Sequence, residues 1–360
     1  MTTKPSSTAR GHFLLYGSYG YTGDLIARMS VERGMRPTLA GRDSEKLRLQ
    51  ALSLGLDHRP FSLENPRQID EVLQDYPVVL HCAGPFAHTA KPMAESCIRT
   101  GAHYLDVTGE IIVFEALAAM DKQAREAGVM LLPGIGFDVV PTDCLALHLK
   151  NHLPTATHLT LAYLVLRSSV SRGTATTSVE NIHKGSAVRR DGKIVPVPAG
   201  WKTRKIDFGR GPKKSVLIPW GDVSTAWYST GIPNVEVYSG SHTPLRPIMI
   251  LSRYIGGLLG SKPVQNFLKA RVRALPPGPT PKQLANGKSI IWGEVTDPDG
   301  NRFVSRQYGP EGYRTTALTA LAAVEKILDG NAPPGFQTPS KAYGADFILE
   351  IEGMTREDLA

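Results

Sequence analysis

Cysteine is scarce in this 360-residue chain: Cys82, Cys97 and Cys144, with no Cys-x-x-Cys pair. That excludes a disulfide scaffold and a thiolate zinc site, and it fits a reducing compartment where such cysteines act as small buried hydrophobes. Long apolar runs are also missing. None reaches the ~18 residues of a spanning helix. The longest, Ile248 to Gly260, follows Pro247 and is interrupted by Arg253. Met1 to Gly11 is polar and lacks the apolar core of a signal peptide, so a cytoplasmic location is expected.

Several catalytic signatures are absent as well. None of the twelve tyrosines has a lysine four residues later, so the proton-donating Tyr-x-x-x-Lys pair of short-chain dehydrogenases is excluded. There is no Gly-x-Ser-x-Gly elbow and no phosphate loop ending in lysine. Hydrophobic residues at 41% and charged residues at 21% describe an ordinary globular chain. A prior of ~150 residues per domain gives about two domains. Net charge is +8, yet residues 184–214 hold ten basic residues and two acids, a surplus equal to that of the whole chain. One basic region therefore stands on a balanced background, ready for an anionic partner.

Residues 12–17 read as a buried strand entering a glycine turn, and Asp24–Arg33 as a helix with Leu25, Ile26 and Met29 on its apolar face. Strand Arg36–Ala40 precedes helix Ser44–Leu54, which is capped by Asp43 or Ser44 and stopped by Gly55. Further strands are expected at Arg59–Leu63, Pro77–Cys82, Tyr104–Val107 and Val129–Pro133, and further helices at Pro66–Gln74, Lys91–Gly101 and Ile111–Gly128. This alternation is an α/β pattern, a doubly wound parallel sheet, whose ligands lie at the carboxyl ends of the strands. Strand-like runs at 158–167, 215–219, 235–238, 289–295 and 302–308 then predict a second, α+β domain with a mostly antiparallel sheet. Tyr313–Leu328 is a late helix, and Phe347–Ile351 a final apolar stretch.

Gly17-Ser18-Tyr19-Gly20-Tyr21-Thr22-Gly23 follows the first strand and opens the first helix. Such glycines permit a tight turn and close backbone approach to a pyrophosphate, with helix N–H groups aimed at the anion. The second strand ends in Gly41-Arg42-Asp43, without the terminal acid that NAD sites use for the ribose. Arg42 can clamp a 2′-phosphate, so NADP is the expected cofactor. Asp43 is read as a helix cap, and Lys46 adds positive charge one turn on. Ala83, Gly84 and Pro85 follow the fourth strand, small enough to admit a nicotinamide or ribose. Asp106, Thr108, Gly109 and Glu110 follow the next. Gly134, Gly136, Phe137 and Asp138 follow the last. Phe137 is expected near the nicotinamide, Asp138 to hold substrate or the turn, and Asp143 to cap a helix.

The glycine loop, Ala40-Gly-Arg42, Cys82-Ala-Gly-Pro-Phe86, Tyr104-Leu-Asp-Val-Thr-Gly-Glu110 and Gly136-Phe-Asp138 together resemble the saccharopine dehydrogenase-like oxidoreductases, especially the trans-acting enoyl reductases. Ser171-Arg-Gly-Thr174, Tyr313-Arg-Thr-Thr316 and Thr338-Pro-Ser340 extend the likeness over most of the chain. His81 departs from an expected asparagine, and Val139 from a serine. The resemblance implies a Rossmann NADP-binding domain at 1–145, a substrate or oligomerisation domain at 146–310, and a segment 311–360 returning to the first domain.

Catalytic candidates are Asp138, Arg172, His183 and Tyr313, with Thr174 and Thr176 beside them. Three functions stay open: hydride delivery to an activated, enoyl-type C=C bond, with an acyl substrate among the candidates; a saccharopine-type C–N reduction of an amino-acid imine with Arg172 or Arg314 on the substrate carboxylate; and a non-catalytic NADP-binding scaffold. The 184–214 segment reads as a solvated hairpin or as a docking face for an acidic carrier protein or anionic lipid, and no nucleic-acid motif accompanies it. Leu245–Leu259 reads foremost as a helix packed into the core, with a pocket lid or an interfacial helix as the other readings. His148 and His152 read as a solvated pair rather than a metal site, and the second sheet suggests a homodimer.

Overall fold

The computed structural model describes residues 12–240 and 245–359. The first half alternates as the apolar periodicity requires. β1 (Leu14–Tyr16), α1 (Tyr21–Glu32), β2 (Thr38–Gly41), α2 (Ser44–Leu54) and β3 (His58–Pro60) form one wing. α3 (Pro66–Leu73), β4 (Val78–His81), α4 (Phe86–Thr100), β5 (His103–Asp106), α5 (Ile111–Ala118), α6 (Asp121–Glu126) and β6 (Met130–Leu132) form the other. Asp43 caps α2 by accepting from the Lys46 N–H at 3.1 Å, and Gly55 ends it in the left-handed region (φ 64°).

Three of the boundary differences from the sequence reading shape the site or the sheet beside it. α4 begins five residues early because Glu110 accepts the Phe86 and Ala87 N–H groups, at 2.9 and 3.0 Å, and so caps it from a distance. The helix expected over Ile111–Gly128 breaks after Ala118, which lets Asp121 accept the Phe336 N–H at 2.7 Å. The strand expected at 59–63 is displaced to His58–Pro60, which frees Ser62 to Glu64 for the cleft described below.

The second half continues with α7 (Val140–His152), β7 (His158–Leu166), α8 (Arg172–Asn181), β8 (Ser186–Arg190), β9 (Lys193–Val197), β10 (Thr203–Asp207), β11 (Pro212–Leu217), α9 (Asp222–Thr230) and β12 (Asn234–Ser239). α10 (Leu245–Leu259), α11 (Lys262–Arg273), α12 (Pro281–Asn286), β13 (Lys288–Thr296), β14 (Arg302–Pro310) and α13 (Gly312–Leu328) follow, then β15 (Gly335–Phe336), α14 (Pro339–Tyr343) and β16 (Thr355–Leu359).

Seven parallel strands make the first sheet, in the order β15-β6-β5-β4-β1-β2-β3. The winding direction reverses between β1 and β4, which opens a crevice at their carboxyl ends. α1, α2 and α13 cover one face with Ile26, Leu47, Leu321 and Val324, and Phe347 and Ile348 join that core. Ile69, Met93, Cys97 and Val113, from α3, α4 and α5, cover the other face with Leu14, Val79 and Tyr104. The second sheet runs β10-β11-β12-β7-β13-β14-β16, with the β8–β9 hairpin attached to β12. Only β12 and β7 pair in parallel there. The chain's end thus serves both sheets: α13 and β15 join the first, and β16 edges the second.

The basic segment 184–214 folds as two antiparallel hairpins. Part of its charge is neutralised: Lys202 meets Glu236 at 2.8 Å, Arg189 meets Glu115 at 3.3 Å, and Arg204 pairs with Glu294.

Candidate functional site

A cleft of about 670 Å³ lies at the crevice between β1 and β4. Its floor is Gly17, Tyr19, Gly20, Tyr21 and Thr22. Gly17 has φ +81°, and a Cβ there would fall 2.7 Å from the Ala83 nitrogen. Gly23 packs its Cα face onto the Gly17 carbonyl, so helix and loop touch where a side chain would force them apart. Gly20 occupies the N-cap of α1 and offers no side-chain cap. The first-turn N–H groups are therefore free for an anion. Gln50, which carried no signal in the sequence, secures the loop. It accepts the Ser18 hydroxyl at 2.8 Å and donates to the Ser18 carbonyl at 2.9 Å and to Asp24 at 2.8 Å.

Arg42 stands exposed at the end of β2 and lines the cleft, with no ion pair among the described residues. Asp43 is committed elsewhere: it caps α2 and pairs with Lys46 at 2.9 Å, interactions that lower its pKa. The cation is thus available to the nucleotide and the acid is not. Tyr19 lies against Gly41, and Lys46 sits 5.6 Å above its ring. The cradle suits a dinucleotide with a 2′-phosphate: an uncapped helix terminus, glycines that close it, and a free arginine.

Cys82, Ala83, Gly84, His88 and Thr89 form the β4 side, and Ser171, Arg172, Gly173 and Pro277 face them from the second domain. Behind that wall, the Tyr313 hydroxyl accepts the Ser171 N–H at 2.7 Å and lies 2.9 Å from Thr174 Oγ1. The Tyr313 ring meets Tyr21 edge-on at 5.1 Å. Glu311 caps α13 by accepting the Tyr313 and Arg314 N–H groups at 2.7 and 3.0 Å. Of the catalytic candidates, Arg172 therefore lines the cleft, and Tyr313 stands behind that wall, bonded to Ser171.

Residues 13–132 match the sequence profile of the saccharopine dehydrogenase NADP binding domain. A trans-acting enoyl reductase of Mycobacterium tuberculosis is 30% identical over 399 aligned positions, covering 94% of this chain and 95% of that protein. The chain belongs to the saccharopine dehydrogenase-like oxidoreductase family. The human saccharopine dehydrogenase-like oxidoreductase is 28% identical over 215 residues, 52% of this chain, and the match spans half of that relative's length. Apo saccharopine dehydrogenase (L-Glu forming) of Saccharomyces cerevisiae has the same fold, with a TM-score of 0.63 at 13% identity over 97% of this chain and 100% of that one. NADP is the cofactor of this family's first domain, as Arg42 leads one to expect.

Other residues of this oxidoreductase singled out in the sequence lie apart from the cleft lining. Ser18 is buried against Gln50, Gly23 is packed on the loop, and the Gly84–Pro85 turn exposes Gly84 rather than Pro85 to the cleft. Phe137 sits in the core against Gly312 and Tyr163. Gly109 packs on the Asp138 carboxylate. Asp138 accepts no hydrogen bond among the described residues, and burial pushes its pKa up to about 6. His183 is exposed below α10, against Gly260. Asp143 is not a cap: Val139 holds that position, and Asp143 is buried in the first turn, accepting the Ser340 N–H at 2.7 Å and the Ser229 hydroxyl. The histidine pair is not merely solvated, since His148 meets Asp358 at 2.7 Å and His152 stacks on Phe303. Arg356 lies 3.0 Å from His148 Nδ1, a cation set beside the group that a metal ion would need.

Asp106 links the loops after β5 and β6. Its Oδ1 accepts the Thr108 and Gly134 N–H groups, both at 2.9 Å, and its Oδ2 accepts the Tyr104 hydroxyl at 2.7 Å. It is fully buried, and desolvation pushes its pKa up from 3.8 to about 6. The native state then holds its proton more tightly than the unfolded chain. The stability it contributes is fully present below pH ~4 and is lost as pH rises through about 6. An asparagine keeps both N–H bonds and can donate to Tyr104. Asp106→Asn should therefore raise stability at pH 7, by up to roughly 3 kcal/mol for a two-unit shift, and flatten the melting temperature between pH 4 and 6. Thermal melts across that range check it; an unchanged pH slope would remove Asp106 from the account.

Proposed function

We propose that this oxidoreductase is an NADPH-dependent reductase of an activated C=C bond, an enoyl-type substrate. The observation that carries the reading is the 30% identity across 94% of the chain to a trans-acting enoyl reductase. Bound NADPH supplies the hydride that adds to the β-carbon. The protein's part is to fix the nucleotide with the glycine loop and Arg42, to hold the alkene against the Ser171–Gly173 wall, and to deliver a proton to the α-carbon.

The C–N alternative needs an arginine for a substrate carboxylate. Arg314 is turned to Glu352, 3.7 Å away, and lies off the cleft; Arg172 is at the wall but commits its Nε to the Leu275 carbonyl at 2.6 Å. A non-catalytic NADP-binding scaffold would use the same cleft of about 670 Å³ for its nucleotide, so turnover separates it from the reductase. The test is turnover of enoyl-thioesters followed by loss of NADPH absorbance. Turnover of an amino-acid imine with no enoyl turnover would replace the C=C reading with the C–N one.

The cofactor half of the proposal has its own measurement. A charge-assisted bond to a 2′-phosphate is worth ~1.5–3 kcal/mol, so Arg42→Ala should weaken NADPH binding roughly 10- to 150-fold and leave NADH binding nearly unchanged. Fluorescence titration reads both. Equal losses for the two nucleotides would place Arg42 outside the phosphate site.

A further inference from the structure

The expectation that Leu245–Leu259 packs into the core is met on one side only. On the inner side of α10, Arg253 Nε donates to the Ala199 carbonyl at 2.6 Å and Arg246 Nε to the Gly200 carbonyl at 3.3 Å. Ser252 is buried, and Gly260 rests on the His183 ring. The outer side carries Leu251 (58% exposed), Tyr254 (82%), Ile255 (37%) and Leu258 (61%). Their i, i+3, i+4, i+7 spacing makes one apolar stripe. On α11, Phe267 is 58% exposed, with the Arg271 guanidinium 5.3 Å from its ring centre.

Charge around the stripe has one sign. Residues 237–293 contain no aspartate or glutamate, while α10 and α11 carry Arg246, Arg253, Lys262, Lys269, Arg271 and Arg273. Lys269 is paired with Glu180 at 2.6 Å. Lys262, Arg271 and Arg273 are exposed, with no ion pair among the described residues. Exposed leucines flanked by long cationic side chains complement an apolar interior beneath an anionic headgroup layer. No helix among the described residues is long and apolar enough to cross a membrane, so such a helix would lie along the surface.

We propose that α10 and α11 dock the protein on an anionic lipid bilayer. The docking face adjoins the cleft. The Leu275 and Pro277 carbonyls, just past α11, accept from Arg172 Nε and N–H at 2.6 and 3.0 Å, and Arg172 and Pro277 line the cleft. A membrane-resident acyl substrate then has a short route to the nucleotide. That last step rests on the reductase reading; docking itself does not.

Vesicle flotation of the full chain tests the docking without turnover, so its outcome is independent of the substrate. Wild type should float with equimolar phosphatidylglycerol–phosphatidylcholine vesicles and at least tenfold less with phosphatidylcholine alone. Leu251→Ser/Tyr254→Ser/Leu258→Ser and Lys262→Gln/Arg271→Gln/Arg273→Gln should each lose at least tenfold while binding NADPH as wild type does. No flotation, or variants that float like wild type, would overturn the proposal. Two other results would reassign the stripe: a dimer by light scattering that the triple serine variant dissociates, or binding to an acidic acyl carrier protein, lost in that variant, in place of vesicles.

Discussion

Tyr313→Phe is expected to lower kcat by about 10²- to 10⁴-fold, the range for losing a positioned proton donor, with NADPH affinity unchanged. Under the C=C reading proposed above, hydride addition would leave an electron pair on the substrate as an enolate, and a proton would then have to reach the α-carbon. The Tyr313 hydroxyl is well prepared to give it. Its oxygen accepts the Ser171 N–H at 2.7 Å, which steadies the phenolate that remains, and its own proton has Thr174 Oγ1 at 2.9 Å, next to the cleft-lining Ser171–Gly173, as acceptor. Burial raises its pKa, so the group stays protonated at neutral pH. Asp138 is the rival, and the pH profile separates them. With its pKa near 6, Asp138 would give a kcat that falls as pH rises through that value, whereas a Tyr313 donor leaves kcat flat there. A falling profile that Asp138→Asn abolishes, together with an active Tyr313→Phe, would move the role to Asp138.

The geometry of the candidate cofactor cradle was legible because it is local. A strand, three glycines and a helix start occupy neighbouring positions, and Arg42 follows β2 directly. Even there, Gln50 was silent: an ordinary helical glutamine in sequence, it anchors Ser18 only because α2 folds back beside the loop. The wall proposed for the substrate is built from segments far apart in the chain. Ser171 and Tyr313 meet across 142 positions, and no periodicity announces such a pairing. Phe137 and Asp143 show the opposite failure. Phe137, expected near the nicotinamide at the carboxyl end of β6, is spent on the core, and Asp143, expected as a helix cap, is spent on a buried link to α14. β15 and β16 escaped notice for simpler reasons. Two residues have no alternation to read, and Thr-Arg-Glu-Asp-Leu is an edge strand whose charges suit its exposure.

Gly17→Ala is expected to destabilise the fold by about 2–5 kcal/mol and to abolish measurable NADPH binding. Two costs combine. A left-handed conformation costs a side-chain-bearing residue about 1–2 kcal/mol, and Gly17 has φ +81°. A methyl group there would also lie 2.7 Å from the Ala83 nitrogen and 2.8 Å from its Cβ, and overpacking of this kind costs about 1–3 kcal/mol. Relief requires the β1 and β4 loops to separate, and those loops are the floor and side wall of the cleft. Gly34 isolates the first cost: its φ is +75°, and a Cβ there would meet nothing within 4 Å. Gly34→Ala should therefore lose only about 1–2 kcal/mol and bind NADPH normally. Denaturant melts and NADPH titration of both variants decide the matter. If Gly17→Ala behaves like Gly34→Ala, the contact with Ala83 is not what shapes the nucleotide site; if it alone loses binding, the close approach of the two loops is.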